Sequence, residues 1–145
     1  MKISTKGRYA LRMLVDLAAH DQDGFVALKD IAARQNISKK YLEQIVPILN
    51  RGDILRTNRG YMGGYKLAGD PENYTVGDIL RLTEGSLAPV ACLEHSPNDC
   101  ERSGQCATLS VWQCLYDVIN EYRDGITLQD LLDRHKENCA DYYII

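Results

Sequence analysis

The stretch LKDIAARQNISKKYLEQIVPILNRGDILRTNRGYMGGYKL, residues 28–67, places two helical patterns before two short strands. Apolar residues recur at helical spacing over 28–35, and Ser38 can cap a second helix that begins immediately after it. Beyond that helix the apolar period falls to two, which predicts strands over 54–57 and 65–67 joined by a glycine-rich tip. A short helix, a tight link, a capped helix and a hairpin, in this order, predict a winged helix-turn-helix.

Further helical patterns flank this unit on both sides. The other predicted helices span residues 4–20, 75–84, 108–124 and 127–136. The expected fold class is therefore mainly α with a small two-stranded wing, an α+β arrangement. The predicted segments are a winged helix-turn-helix DNA-binding domain over 1–85, a cysteine-bearing loop over 86–107, a dimerisation helix with a final helix over 108–136, and a tail over 137–145.

Composition places the chain among ordinary globular proteins. It has 145 residues, of which 45% are hydrophobic and 26% charged, so one compact domain with or without an appendage is expected. No apolar run reaches the length of about 18 residues that a membrane span needs. Arg8 and Arg12 interrupt the first apolar stretch, which argues against a signal peptide. The sequence therefore predicts a cytoplasmic protein without a membrane partner.

Charge is distributed unevenly along the chain. Residues 1–70 carry 12 Lys or Arg against 7 Asp or Glu, whereas residues 71–145 carry 5 against 13. Within 28–66 the counts are 8 basic and 3 acidic residues. A local excess of cations on a predicted winged helix-turn-helix indicates that its partner is double-stranded DNA.

The second helix of the unit and the hairpin tip supply the candidate DNA contacts. Glutamine can pair with adenine, glutamate can accept from cytosine, and lysine can bind guanine or phosphate. An arginine on a narrow glycine-flanked loop suits insertion into a minor groove. The predicted DNA-binding residues are Ser38, Lys39, Lys40, Tyr41, Glu43, Gln44, Arg59 and Gly60.

Three of the five cysteines fall in residues 86–107, which show no helical or strand period. Cys92, Cys100 and Cys106 are spaced too widely for a typical structural zinc site, which prefers close cysteine pairs. Iron–sulfur clusters accept spread thiolates, and a cluster would order a loop that cannot bury a core. The residues favour an iron–sulfur cluster, with a loop of three unconnected cysteines as the alternative.

The long helix after this loop carries two adjacent apolar stripes. One stripe suffices to pack a helix on its own domain, so two predict a second partner, most simply the same helix of another subunit. A homodimer would present two recognition helices to a palindromic operator. The residues expected at the dimer helix are Val111, Trp112, Leu115, Val118, Ile119 and Tyr122.

Several segments together resemble the bacterial winged-helix transcription regulators typified by the iron–sulfur cluster regulator (IscR-like). They are MKISTKGRYALRML (1–14), ISKKYLEQIV (37–46), RGYMGGYKL (59–67), the three cysteines, and ITLQDLL (126–132). The resemblance covers roughly residues 1–136. It implies a homodimer joined through the long helix and a cluster held by the three cysteines and a fourth ligand. The implied cluster is [2Fe–2S], with [4Fe–4S] as the alternative.

The fourth ligand does not carry over from the family. Leu109 and Arg8 occupy the two positions where family members place it, and neither side chain can ligate iron. His95 is the favoured replacement in the loop. The other candidates are Glu94, Asp99, Cys114, or no protein residue at all.

The expected function is that of a dimeric transcription regulator that senses iron–sulfur cluster status and controls cluster biogenesis genes. The signal would be iron, redox state or nitric oxide. The alternative is a cluster-free regulator of the same fold, controlled by a protein partner or by thiol oxidation, as in a cysteine-metabolism repressor. An enzyme is not expected, because the three histidines are scattered and glycine-rich residues 60–64 lack the Lys-Ser/Thr of a phosphate loop.

Overall fold

The computed structural model describes residues 1–143, and these form α-helices joined to one two-stranded antiparallel sheet. The helices are α1 (Thr5–Ala19), α2 (Leu28–Gln35), α3 (Lys39–Arg51), α4 (Val76–Glu84), α5 (Leu109–Asp124) and α6 (Leu128–Tyr143). The strands are β1 (Leu55–Asn58) and β2 (Gly64–Leu67). The expected class, mainly α with a small wing, is confirmed.

Most helices begin where a side chain satisfies their first free N–H groups. The Ser38 hydroxyl accepts from the backbone N–H of Tyr41 at 3.0 Å. At α4 the Thr75 hydroxyl accepts from the N–H of Asp78 at 3.0 Å, and the Asp78 carboxylate accepts from the N–H of Thr75 at 2.9 Å. This reciprocal pair is a capping box, and it fixes the start of the helix predicted over 75–84. Thr108 precedes α5 as predicted but makes no side-chain cap.

The core forms around α1, which packs against α2, α3, α4, α6 and β2. Apolar side chains at helical spacing along α1, α2 and α3 meet there, as their periods predict. The largest fully buried side chains are Met13, Leu14, Leu17, Ile31, Leu42, Ile45, Leu49, Ile79 and Leu128. Because α2 and α3 both contact α1, the outer face of α3 is held in a defined direction.

The wing is tied to the segment that precedes α2. Val26 and Tyr65 exchange backbone hydrogen bonds of 2.8 Å in both directions, outside the two named strands. A Cβ atom on Gly64 would collide with the carbonyl of Val26, so this close approach requires glycine. The strands lie within one residue of the predicted ranges, and the bond to Val26 fixes the hairpin beside the helix pair.

One helix end was predicted wrongly. α6 continues past the predicted end at Lys136 to Tyr143, so residues 137–143 are helical and not a separate tail. No glycine or proline follows Lys136 to stop the helix. Ile144 and Ile145 lie outside the described residues. In the part of the chain that the structure describes, no helix is both long and apolar enough to cross a membrane.

Candidate DNA-binding surface and cysteine loop

The face of α3 that points away from the core is polar and exposed. Ser38, Lys39 and Lys40 in the first turn are exposed, as are Glu43 and Gln44 one turn later. The Lys39 ammonium lies 3.7 Å from the Glu43 carboxylate. These are the residues predicted from the sequence to contact DNA, and α3 holds them on one outward surface.

A polar groove with a volume of about 490 Å³ runs between α3 and the wing. Lys39 and Glu43 line it from α3, and Arg59 and Gly60 line it from the wing. The fold therefore brings the two predicted contact elements to one concave surface. Lys29 lines the same groove from the first turn of α2 and was missed from the sequence, where its place within the cationic segment 28–66 was the one signal for it.

Tyr41 has a second role besides the one predicted for it. Its half-buried ring meets the Tyr9 ring edge-on, with centroids 5.4 Å apart and planes at 77°. The Arg12 guanidinium lies 5.3 Å from the centroid of the Tyr9 ring. Tyr41 therefore attaches the start of α3 to α1 and offers only part of its surface to a partner.

Glu84, the last residue of α4, forms hydrogen bonds with the start of α1, although Ser4 lies 80 residues earlier in the sequence. Its Oε1 accepts from the N–H of Ser4 at 3.1 Å, from the Ser4 hydroxyl at 2.6 Å, and from the N–H of Gly7 at 3.1 Å. A carboxylate at a helix N-terminus satisfies free N–H groups and interacts favourably with the helix dipole. The cysteine loop therefore begins at a point held against the DNA-binding unit.

The loop cysteines are accessible thiols. All five cysteines of the chain lie within the described residues and are free, with Cys92 and Cys100 half-buried and Cys106 exposed. The N–H of Cys100 donates to the Asn98 side chain at 2.9 Å, and His95 is exposed. The loop also contains one helical turn, Ala91–Leu93.

Three thiols in one loop suit an iron–sulfur cluster in kind, because thiolates are the ligands that such clusters take. The three cysteines and His95 are not gathered, however. Across residues 1–143, no group of three or more His, Cys, Asp or Glu is placed to hold a metal ion. The donor set therefore fits the cluster chemically, and the loop would have to close for the thiols to converge.

Cys106 lies next to the hydroxyl of Thr108, the residue that directly precedes α5. Its Sγ is 3.3 Å from the Thr108 Oγ1. Hydrogen bonds from the Thr108 side chain and backbone stabilise the thiolate and lower the pKa of Cys106, with a smaller contribution from the Arg102 charge. The thiolate is the form that binds metal and reacts with oxidants, so the lowered pKa prepares Cys106 for either chemistry.

Replacing Thr108 with Val is expected to raise the pKa of Cys106, because the hydroxyl donor to the thiolate is lost. Less thiolate at a given pH means slower alkylation, so the midpoint of the iodoacetamide rate of Cys106 should move to higher pH. Peptide-level mass spectrometry of metal-free protein measures this midpoint. Thr57→Val, an exposed change on the wing, is the control. An unchanged midpoint in Thr108→Val would contradict the assignment.

α5 carries an apolar face that nothing covers in the described chain. Trp112 and Leu115 are 37% and 43% exposed, whereas Val111, Val118 and Tyr122 are 56%, 61% and 69% exposed. Ile119 is half-buried. The Arg81 guanidinium donates to the Asp124 carboxylate at 2.7 Å and ties the end of α5 to α4. The face predicted for dimerisation is therefore exposed on a helix anchored to the rest of the chain.

Comparison with known proteins finds sequence matches that cover most of this chain. The model of the Rrf2 family, described as an iron-dependent transcriptional regulator, matches residues 3–134. The HTH-type transcriptional regulator CymR of Bacillus subtilis (strain 168) is 40% identical over 131 residues, which cover 90% of this chain and 89% of CymR. The HTH-type transcriptional regulator IscR of Aliivibrio salmonicida (strain LFI1238) is 36% identical over 142 residues, which cover 97% and 83% of the two chains.

A solved structure agrees with the sequence matches. The structure of CymR, named as the global cysteine regulator of B. subtilis, resembles this one with a TM-score of 0.76 at 37% identity, covering 92% of this chain and 98% of that one. The relatives are named as transcriptional regulators, which confirms that this chain is not an enzyme. The predicted resemblance and the predicted winged-helix fold are confirmed as well. The chain belongs to the Rrf2 family of DNA-binding transcriptional regulators.

Proposed function

We propose that this protein is a homodimeric regulator whose choice of DNA responds to an iron–sulfur cluster held by Cys92, Cys100 and Cys106. Its targets would include genes of iron–sulfur cluster biogenesis. The observation that carries the proposal is the position of the loop. The loop leaves α4 at Glu84, which caps α1, and enters α5, which carries the exposed apolar face. When bound, the cluster would supply iron centres that respond to iron supply, oxygen or nitric oxide.

DNA is read by α3 and the wing in this proposal. Lys39 and Lys40 neutralise phosphates or bind guanine, while Glu43 and Gln44 meet base edges in a major groove. Arg59 and Gly60 lie at the wing and enter the adjacent minor groove. Ser38 combines its cap with a phosphate contact. The groove between α3 and the wing supports this assignment, because Lys39 and Glu43 line it from one side and Arg59 and Gly60 from the other.

The dimer supplies the second half of the DNA surface. Joining two copies through the exposed face of α5 removes its apolar side chains from water. It also places two copies of α3 on one molecule, which suits a palindromic operator of two half-sites. Because the cysteine loop leads directly into α5, ordering of the loop would change the pose of the two winged helices.

The test begins with protein purified without oxygen. Iron and acid-labile sulfide are counted per chain, and operator binding is measured for wild type and for a Cys92→Ala, Cys100→Ala, Cys106→Ala variant. The matched control replaces Cys139, which is exposed, lies outside the loop and is not among the candidate ligands. We expect the triple variant alone to lose iron and to change its operator preference. Equal iron and equal binding in all three proteins would rule out the cluster at this loop.

Iron content and the visible absorption spectrum of a His95→Ala variant test whether His95 is the fourth cluster ligand. If His95 completes the cluster, this variant should lose iron or show a shifted visible absorption spectrum. If the spectrum and iron content stay as in wild type, another residue or no protein residue fills the position, and a ratio of four irons per cluster would agree with three protein ligands.

A second candidate is a cluster-free regulator that responds to thiol oxidation or to a protein partner. It is favoured by the loop thiols, which are not gathered within the described residues, and by the lowered pKa of Cys106. The similarity to CymR, whose structure is named for a global cysteine regulator, points the same way. A protein that takes up no iron, but whose DNA affinity changes reversibly with peroxide and dithiothreitol, would select this function.

Arg59→Ala is expected to weaken operator binding by about 1–3 kcal/mol, because one groove contact is lost. The slope of log affinity against log salt should also fall by about one. Fluorescence anisotropy at several salt concentrations measures both quantities. Lys136→Ala removes one exposed charge on α6 and serves as the control for net charge. Equal affinities for Arg59→Ala and Lys136→Ala would remove Arg59 from the interface.

A further inference from the structure

The tip of the wing exposes two large apolar side chains that the DNA contacts proposed above do not use. Tyr61 is fully exposed, with a relative accessibility of 102%, and Met62 is 80% exposed. They occupy the two central positions of a tight turn, because the N–H of Gly63 donates to the carbonyl of Gly60 at 3.0 Å. Both side chains therefore stand at the outermost point of the hairpin.

The turn is built from glycines that bring the backbone into a narrow tip. Gly60 has a φ of 136°, a conformation that L side chains rarely adopt. A Cβ atom on Gly63 would collide with the carbonyl of Asn58 on the opposite side of the hairpin. With glycine on each side, the side chains of Tyr61 and Met62 are the only ones that project from the turn itself.

This apolar tip lies next to the cationic groove and not on a separate surface. Arg59 directly precedes the turn and lines the groove together with Lys29 and Lys39. An apolar pair flanked by cations suits a partner that has a polyanionic rim and an apolar interior. Stacked base pairs between two phosphate backbones have this combination, and the tip is continuous with the proposed DNA surface.

We propose that Tyr61 and Met62 form an apolar wedge that enters the minor groove of the operator and partly unstacks one base step. This inference rests on the proposed DNA-binding function and extends it. Arg59 holds the tip against the phosphates of the narrow groove, and the two side chains pack between bases, which bends the duplex. The wedge favours operators with a flexible pyrimidine–purine step at that position, because such steps unstack most easily.

The test uses a duplex selected by the wild-type protein from a randomised pool, labelled at both ends for energy transfer. In a second set of duplexes, 2-aminopurine replaces one base at a time in the segment next to the half-site, where the wing would enter the minor groove. The variants are Tyr61→Ala with Met62→Ala, and Tyr61→Phe as the conservative control. The truncated side chains contact little of their own chain, and a thermal melt checks that the fold is unchanged.

We expect wild type and Tyr61→Phe to bend the duplex and to raise 2-aminopurine fluorescence at one step. The double variant should lose both signals and bind roughly tenfold more weakly, as expected for the loss of base stacking on an aromatic side chain. A double variant with unchanged affinity and bend overturns the wedge, as does weaker binding with an unchanged bend. In both cases continued sensitivity to Arg59→Ala leaves the proposed function intact. If the wild-type protein selects no duplex, the proposed function itself fails.

Discussion

Replacing Leu115 and Val118 by Asp is expected to convert the proposed dimer into monomers and to weaken operator binding by about 10²-fold to 10⁴-fold. Both side chains are exposed on α5, so the change should leave the fold of each chain intact. In a dimer they would meet the same face of the partner helix. A carboxylate buried there without a counter-charge would cost several kcal/mol. Monomers would then bind each half-site alone, without the effective concentration that the dimer provides.

Light scattering coupled to size exclusion measures the oligomeric state, and anisotropy with a full operator and with a half operator measures the affinity. A matched variant, Ser110→Asp with Gln113→Asp, adds the same charge at exposed polar positions of α5. It should remain dimeric and should bind the full operator as wild type does. A Leu115→Asp, Val118→Asp variant that stays dimeric would place the dimer contact elsewhere.

Asp16→Ala is expected to lower the free energy of unfolding by about 3 kcal/mol. Asp16 lies on α1 and is 3% exposed. Its carboxylate accepts from the Arg34 guanidinium at 2.7 and 3.0 Å and from the Gln35 amide at 3.0 Å, both at the end of α2. Removing the carboxylate leaves these donors without their acceptor, and the half-exposed position of Arg34 limits the cost. DNA affinity should fall as well, because α2 holds α3 in place.

Urea unfolding followed by circular dichroism measures this stability difference. Asp21→Ala, an exposed carboxylate just beyond α1, controls for the loss of one negative charge and should change stability by less than about 0.5 kcal/mol. Asp16→Asn keeps an acceptor oxygen and should cost less than Asp16→Ala. Equal stability of Asp16→Ala and Asp21→Ala would show that the Asp16 contacts do not hold α1 to α2.

Much of the local architecture could be predicted because its causes lie within a few residues. Ser38 caps α3 and Thr75 pairs with Asp78 at short range, so neighbouring side chains determine where these two helices start. The change of apolar period after Gly52 is equally local, and it placed the strands within one residue. The exposed face of α5 followed from two apolar stripes on a single helix.

The sequence allowed most residues of the candidate site to be identified, but it did not predict how they are arranged in space. The residues of α3 and the wing were identified one by one, but Lys29 was missed because only packing of α2 beside the wing brings it to the groove. The three loop cysteines were identified from residue type and spacing. Their separation in space was not predictable, because a loop without apolar periodicity carries no local signal for its path.

The order of helices and strands, the polar face of α3 and the apolar face of α5 all follow from the sequence alone, since each depends on spacing or capping over a few residues. Which distant groups meet became known only from the packing of the helices. In the sequence Asp16 is one polar residue of a helix, but packing buries it, and its hydrogen bond with Arg34 links α1 to α2. Glu84 caps α1 from the far end of α4. Such contacts depend on how several helices pack around one core, which no local pattern encodes.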